Sequence, residues 1–166
     1  MLRRLFLGIC LAAALGGCST APPSQSGTQL PQEPSAVPAR ALNPDVRPET
    51  IHQTICVSGY TASVRPSTSF TNGIKLKLMR DSGLPPGRAS EFELDHRVAL
   101  ALGGHPRAVE NLALQPWEGD SGAKRKDKLE RRLQQLVCAG KVALDRAQSA
   151  LYFDWEAAYV EFLGSR

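Results

Sequence analysis

The side chains that could carry out hydrolytic chemistry lie in one short stretch in the middle of the chain. Asp95 and His96 are adjacent, the turn Gly103-Gly104 follows, and Asn111 precedes a leucine. A histidine near its ordinary pKa can take a proton from water at neutral pH. A carboxylate is the kind of ligand that a hard divalent cation prefers. Held rigidly together, these groups are the parts that phosphodiester hydrolysis requires.

The order of these residues resembles that of the HNH (ββα-metal) nuclease family, which uses an Asp-His pair, a Gly-Gly turn and a Glu-Asn-Leu segment. The resemblance extends to small exported bacterial members of the family and covers residues 50–160 approximately. The segments that carry it are Thr54-Ile55-Cys56, Val64-Arg65-Pro66, Glu93 to Gly104, Asn111-Leu112, Lys126 to Glu130, Val137 to Gly140, Ala147-Gln148 and Asp154-Trp155.

The resemblance implies a role for each residue of the central motif. His96 corresponds to the general base, Asp95 to a metal ligand, and Asn111 to the residue that braces the loop and orients the histidine. The implied cofactor is a divalent metal ion, with Mg²⁺ expected, and the implied substrate is DNA, with RNA as an alternative. No small-molecule cofactor is expected, and the chain is expected to be a monomer.

The helix that should complete the site departs from the family pattern. Family members carry a His or an Asn there as a further metal ligand, whereas residues 122–127 read Gly-Ala-Lys-Arg-Lys-Asp. A protonated lysine cannot ligate a cation. Glu118, Asp120 or Asp127 supplies an oxygen, or waters fill the metal shell, or activity has been lost. The residues of this helix that we expect to contact phosphates are Lys124, Arg125 and Lys128.

Two other classes of function compete with the nuclease. A catalytically degenerate domain would bind nucleic acid or another envelope component, and a purely structural lipoprotein would bind no nucleic acid. The formal net charge of +4 is too mild to indicate nucleic-acid binding by itself. We expect Trp117 and Trp155 to be packing residues rather than base-stacking platforms. Arg65 either binds a phosphate or pairs with an acid.

The first 17 residues have the features of an export signal. Two arginines precede an apolar run over residues 5–15, which is too short to span a bilayer as a helix. Leu15-Gly16-Gly17-Cys18 resembles the lipobox of bacterial lipoproteins, which implies cleavage before Cys18 and a lipid anchor on it. Ser19 after the cysteine implies the outer membrane of the cell envelope. The alternative is an ordinary secretory signal with a chance cysteine.

Two cysteines, Cys56 and Cys138, remain for the folded part of the chain. An even pair in an oxidising compartment predicts a disulfide. It would close a loop of about 80 residues, with an entropic stabilisation of roughly 4–5 kcal/mol at most. Metal binding is the weaker alternative, because neither cysteine belongs to a CxxC motif.

The composition divides the rest of the chain into a tether and a domain. Residues 18–48 are rich in Pro, Ser, Gln and Ala without a hydrophobic period, which predicts a disordered tether. Residues 49–166 are predicted to form a small, helix-rich α+β domain with a ββα-metal centre. The predicted elements are a helix over 70–82, one kinked or two short strands over 92–102, a strand over 109–114, and helices over 123–137 and 144–162.

Overall fold

A computed structural model describes residues 36–164 of the chain. The predicted signal peptide, the lipidated Cys18 and the first part of the predicted tether lie outside the described residues. No helix in the described range is both long enough and apolar enough to cross a membrane.

Residues 36–164 contain four α-helices and one two-stranded sheet. In chain order they are α1 (Tyr60–Val64), α2 (Thr68–Asp81), β1 (Phe92–His96), β2 (Leu112–Pro116), α3 (Ala123–Cys138) and α4 (Leu144–Leu163). The predicted small α+β domain with an excess of helix is confirmed. The three predicted helices, α2 to α4, start and end within two residues of the predicted limits, which is the usual uncertainty of helix ends; the short helix α1 was not predicted.

The two strands pair antiparallel, with Phe92 opposite Pro116 and His96 opposite Leu112. Successive side chains of a strand point to opposite faces of the sheet. The neighbours Asp95 and His96 therefore leave β1 in opposite directions. This alternation decides which surroundings each of the two candidate residues meets.

The connection between the strands corrects two predictions. The apolar run after His96, predicted as strand, contains a 3-10 turn over Leu100–Leu102 instead. Val98 and Leu102 are fully buried there, and a short apolar run that packs into a core as a loop has the same pattern as a buried strand. The second strand begins at Leu112 rather than at residue 109, because Val109–Asn111 forms another 3-10 turn.

The core lies where α3 and α4 pack together. Leu129, Leu133 and Val137 of α3 are buried, as their helical spacing predicted, while Leu136 is only half-buried. Leu151 of α4 belongs to the same apolar cluster. Full burial of such a side chain contributes about 1.5–3 kcal/mol, so α3 and α4 stabilise each other, and both contact the turn over Leu100–Leu102.

Packed structure begins before the predicted domain boundary at residue 49. Ala41 is fully buried and Val46 nearly so. The backbone N–H of Asn43 donates to the carbonyl of Gly103 at 2.8 Å, and that of His105 donates to the carbonyl of Ala41 at 2.8 Å. The last residues of the predicted tether are thus part of the domain, because a few apolar side chains suffice to anchor a segment that lacks any period.

The predicted disulfide between Cys56 and Cys138 is confirmed, with 5.6 Å between the Cα atoms. It joins the segment before α1 to the last residue of α3. Beside it, the side-chain amide of Gln134 donates to the carbonyl of Ile55 at 2.7 Å. The bridge thereby fixes the chain that leads to Arg65, at the end of α1.

Candidate active site

A surface cleft of about 280 Å³ lies between α2 and β1. Four of its lining residues carry groups suited to acid-base chemistry or anion binding, namely His96, Glu93, Arg65 and Lys75. The first turns of α2 add the hydroxyl groups of Thr68 and Thr71 and the amide of Asn72. The cleft therefore combines an imidazole, a carboxyl group and two cations.

The imidazole of His96 is held by a backbone carbonyl. Its Nε2 lies 3.0 Å from the carbonyl oxygen of Pro106. A carbonyl oxygen can only accept a hydrogen bond, so Nε2 carries the proton and Nδ1 carries the lone pair of the neutral ring. Burial lowers the pKa of His96 below its ordinary value, although the Pro106 bond and Asp95 oppose it. At neutral pH the ring is thus in the form that can accept a proton.

Glu93 is the second titratable group of the cleft, and it was not among the site residues predicted from sequence. Burial, together with the carboxylates of Asp95 and Asp127, raises the pKa of Glu93 to about 7. Both its protonated and its ionised forms are populated near neutral pH. The available signal was its place in β1, two residues before Asp95 and on the same face of the strand.

Asn111 is fully buried and braces the loop between the strands. Its Oδ1 accepts the N–H of Val98 at 2.8 Å, and its Nδ2 donates to the carbonyls of Val98 and His105, each at 3.0 Å. Asn111 therefore acts on the loop that carries Pro106, the partner of His96. Its bonds position the imidazole through the backbone and not through direct contact with the ring.

Gly104 is required by the close approach of this loop to itself. A Cβ atom at residue 104 would lie 1.8 Å from the carbonyl oxygen of Val98 and 2.6 Å from Nδ2 of Asn111. Any side chain there would break the brace. The second glycine of the turn is thus explained by its close approach to Val98 and Asn111, whereas Gly103 has a φ of +80° and faces Val46.

Asp95, the predicted metal ligand, is paired with a buried lysine. Nζ of Lys126 lies 2.7 Å from Oδ2 of Asp95, 2.7 Å from the carbonyl of His96 and 2.6 Å from Oε1 of Glu130. Lys126 is only 2% exposed. Burial acts to lower the pKa of Lys126, but Glu130 and Asp95 outweigh it and raise this pKa. The ammonium group is charged, and its three protons meet three acceptors.

The described residues do not fit a metal centre built on Asp95. The Lys126 ammonium binds Oδ2 of Asp95, and a metal ion at this carboxylate would be repelled by it. Between residues 36 and 164, no group of three or more His, Cys, Asp or Glu side chains is arranged to hold a metal ion. Two of the three alternative oxygen donors lie elsewhere: Glu118 pairs with Lys124, and Glu118 and Asp120 line a separate groove. The third, Asp127, is exposed on α3 and acts on the pKa of Glu93.

The predicted phosphate contacts line that groove, which has a volume of about 590 Å³. Lys124 pairs with Glu118 at its rim, and Lys128 is exposed. The guanidinium of Arg125 lies 4.1 Å from the centroid of the Tyr159 ring and donates to the carbonyl of Asp120 at 2.8 Å. The structure therefore places these three cations together, but not in the cleft of His96.

No family model, curated protein or solved structure that was compared with the chain matches it. The geometry of the cleft is therefore the basis for a proposed function. Membership of the HNH family stays a prediction.

Proposed function

We propose that the chain is an HNH-type endonuclease that hydrolyses phosphodiester bonds of DNA, with RNA as the alternative substrate, in the cleft of His96. One observation carries the proposal. A neutral imidazole, fixed by the carbonyl of Pro106, lines a cleft that also contains Arg65 and Lys75. A proton acceptor beside two cations is the combination that an attack of water on a phosphodiester requires.

The proposed reaction uses few groups of the chain. Nδ1 of His96 takes a proton from the attacking water as its oxygen bonds to phosphorus. The bond from phosphorus to the leaving oxygen breaks, and a solvent water supplies the proton that this oxygen needs. Arg65 and Lys75 offset the negative charge on the phosphoryl oxygens, which charge-assisted hydrogen bonds do more strongly than neutral ones.

The predicted Mg²⁺ is part of the proposal but no step above depends on it, because the surroundings of Asp95 do not fit an ion. Mg²⁺ is commonly held in proteins by one or two carboxylates together with substrate phosphates. The contribution of Mg²⁺ to the reaction is therefore measured in the presence of the nucleic-acid substrate. Nicking assays with Mg²⁺, with Mn²⁺ and with a chelator decide whether an ion takes part.

A nucleic-acid-binding domain without catalysis is the second candidate. This candidate is favoured by the ion pair between Asp95 and Lys126, since the one predicted metal ligand already binds a cation of the chain. Such a domain would bind oligonucleotides with a salt-dependent affinity but would cleave none of them. Binding without nicking in every metal condition would establish this candidate and reject the nuclease.

Plasmid nicking by the purified chain tests the proposal. We expect His96→Ala to lower the nicking rate by about 10²-fold or more, the usual contribution of a general base. His52→Ala is the matched control, because His52 is an exposed histidine outside the cleft. Equal nicking by wild type and His96→Ala would reject His96 as the base.

We also propose that the chain is an outer-membrane lipoprotein of a bacterial cell envelope, anchored through Cys18. The Cys56–Cys138 disulfide supports export, because such bonds persist in oxidising compartments. Metabolic labelling with a radioactive fatty acid should mark the wild-type chain and not Cys18→Ser. Equal labelling of both would reject the anchor.

A further inference from the structure

Trp117 lies at the meeting point of three surface cavities. It follows β2 directly and lines the His96 cleft, the groove of Arg125 and Lys128, and a third cavity of about 590 Å³ that also contains Arg88. Trp117 is 37% exposed, so part of the ring is free to contact a ligand, and its expected role as a packing residue stays a prediction. Trp155, by contrast, packs against the core as expected.

Each of the three cavities is lined by cations. They are Arg65 and Lys75 in the first, Arg88 and Lys124 in the second, and Lys124, Arg125 and Lys128 in the third. Arg88 and Lys124 are paired with Glu91 and Glu118 respectively, on exposed surface. Exposed ion pairs are weak in water, and phosphate oxygens can replace those carboxylates.

We propose that the three cavities form one track for a single-stranded nucleic acid, on which Trp117 stacks a base. The substrate phosphate at His96 in this proposal rests on the proposed function; the stacking site does not. In a duplex the bases already stack on one another and are closed to a side chain, whereas every unpaired base offers a face to an aromatic ring. An exposed indole between clusters of cations matches a single strand in both its bases and its charge.

The fixed geometry of Arg125 supports the same occupant. Its guanidinium carbon lies 4.1 Å from the centroid of the Tyr159 ring, and its Nη1 donates to the carbonyl of Asp120 at 2.8 Å. The side chain is thus held at the groove before any ligand arrives, and little conformational entropy remains to be lost on binding. The track joins the predicted phosphate contacts to the cleft through Trp117.

Fluorescence anisotropy with labelled 20-nucleotide probes tests the track on the full chain. The probes are single-stranded DNA, single-stranded RNA and duplex DNA of the same sequence. We expect Trp117→Ala to weaken single-strand binding by about fivefold or more, in line with one stacked base, and Trp117→Phe to restore most of it. Phe153→Ala is the matched control, because Phe153 is an exposed aromatic residue outside the track.

The outcomes separate this inference from the proposed function. Duplex binding as tight as single-strand binding, or no effect of Trp117→Ala, would overturn the track even if His96-dependent cleavage is found. Trp117-dependent binding of single strands without any cleavage would keep the track and reject the nuclease. A preference for RNA over DNA of the same sequence would identify the sugar that the track accepts.

Discussion

The charged groups on the two faces of β1 have different surroundings. On one face Asp95 meets the Lys126 ammonium, which is 2% exposed and satisfied by three oxygens. On the other face His96, which is 7% exposed, lines the surface cleft with Arg65 and Lys75. Two residues that are adjacent in sequence thus belong to a fully paired ion network and to the wall of a surface cleft.

This difference gives one face of the motif a role in stability and the other face the proposed role in chemistry. A buried charge is tolerated only when it is fully paired, and a complete network fixes the relative position of the elements that carry it. Lys126 joins α3 to β1 in this way. The groups of the cleft have hydrogen-bonding capacity left for a ligand. Titratable groups with shifted pKa values in a cleft are typical of functional sites.

Removing the buried ammonium should produce the largest loss of stability. Lys126→Met leaves Asp95 and Glu130 close together without a cation, which should lower the free energy of unfolding by about 3–5 kcal/mol. Urea denaturation measures it. Lys128→Met, an exposed position on the same helix, should change it by less than about 0.5 kcal/mol. Equal stability of both variants would show that the network is not closed.

The disulfide should contribute somewhat less and should act on the fold rather than on the chemistry. Replacing Cys56 and Cys138 together by serine should lower the free energy of unfolding by about 2–4 kcal/mol. The nicking rate of the folded fraction should stay within a factor of about two. A large fall in that rate at full folding would mean that the bridge also shapes the Arg65 wall of the cleft.

Substitutions in the cleft should lower the nicking rate and leave the free energy of unfolding unchanged. Lys75→Ala removes one cation from the cleft, and loss of a charge-assisted contact to phosphate should lower the nicking rate about tenfold. Lys77→Ala is the control, because Lys77 is exposed on the same helix and pairs with Asp81. Equal losses of nicking rate in the two variants would mean that Lys75 in the cleft contributes no more to substrate binding than an exposed lysine does.

The smallest effect is expected in the groove beyond Trp117. Lys128→Ala should reduce the slope of log affinity against log salt by about 0.7 for a single strand, the value for one phosphate contact. Arg132→Ala removes the same charge from an exposed position of the same helix. Identical slopes for the two variants would remove Lys128 from the binding surface.

Local features could be predicted from the sequence, whereas features that bring distant segments of the chain together could not. Helical periodicity located α3 and its apolar face, and the even pair of cysteines predicted the disulfide. The same period places Lys126 three residues before Leu129, on the buried face, but the surrounding run of cations favoured a solvated side. The cleft escaped prediction because Lys75 and Glu93 meet only through the packing of α2 against β1.

The single-turnover cleavage rate of His96→Gln tests the central claim most directly. A glutamine amide can still donate to the carbonyl of Pro106 but cannot accept a proton at neutral pH. With the fold verified by thermal unfolding, we predict that the rate falls by about 10²-fold or more from the wild-type value, while His52→Gln cleaves at the wild-type rate. A His96→Gln protein that is folded and cleaves as fast as the wild type would contradict the assignment of chemistry to this cleft.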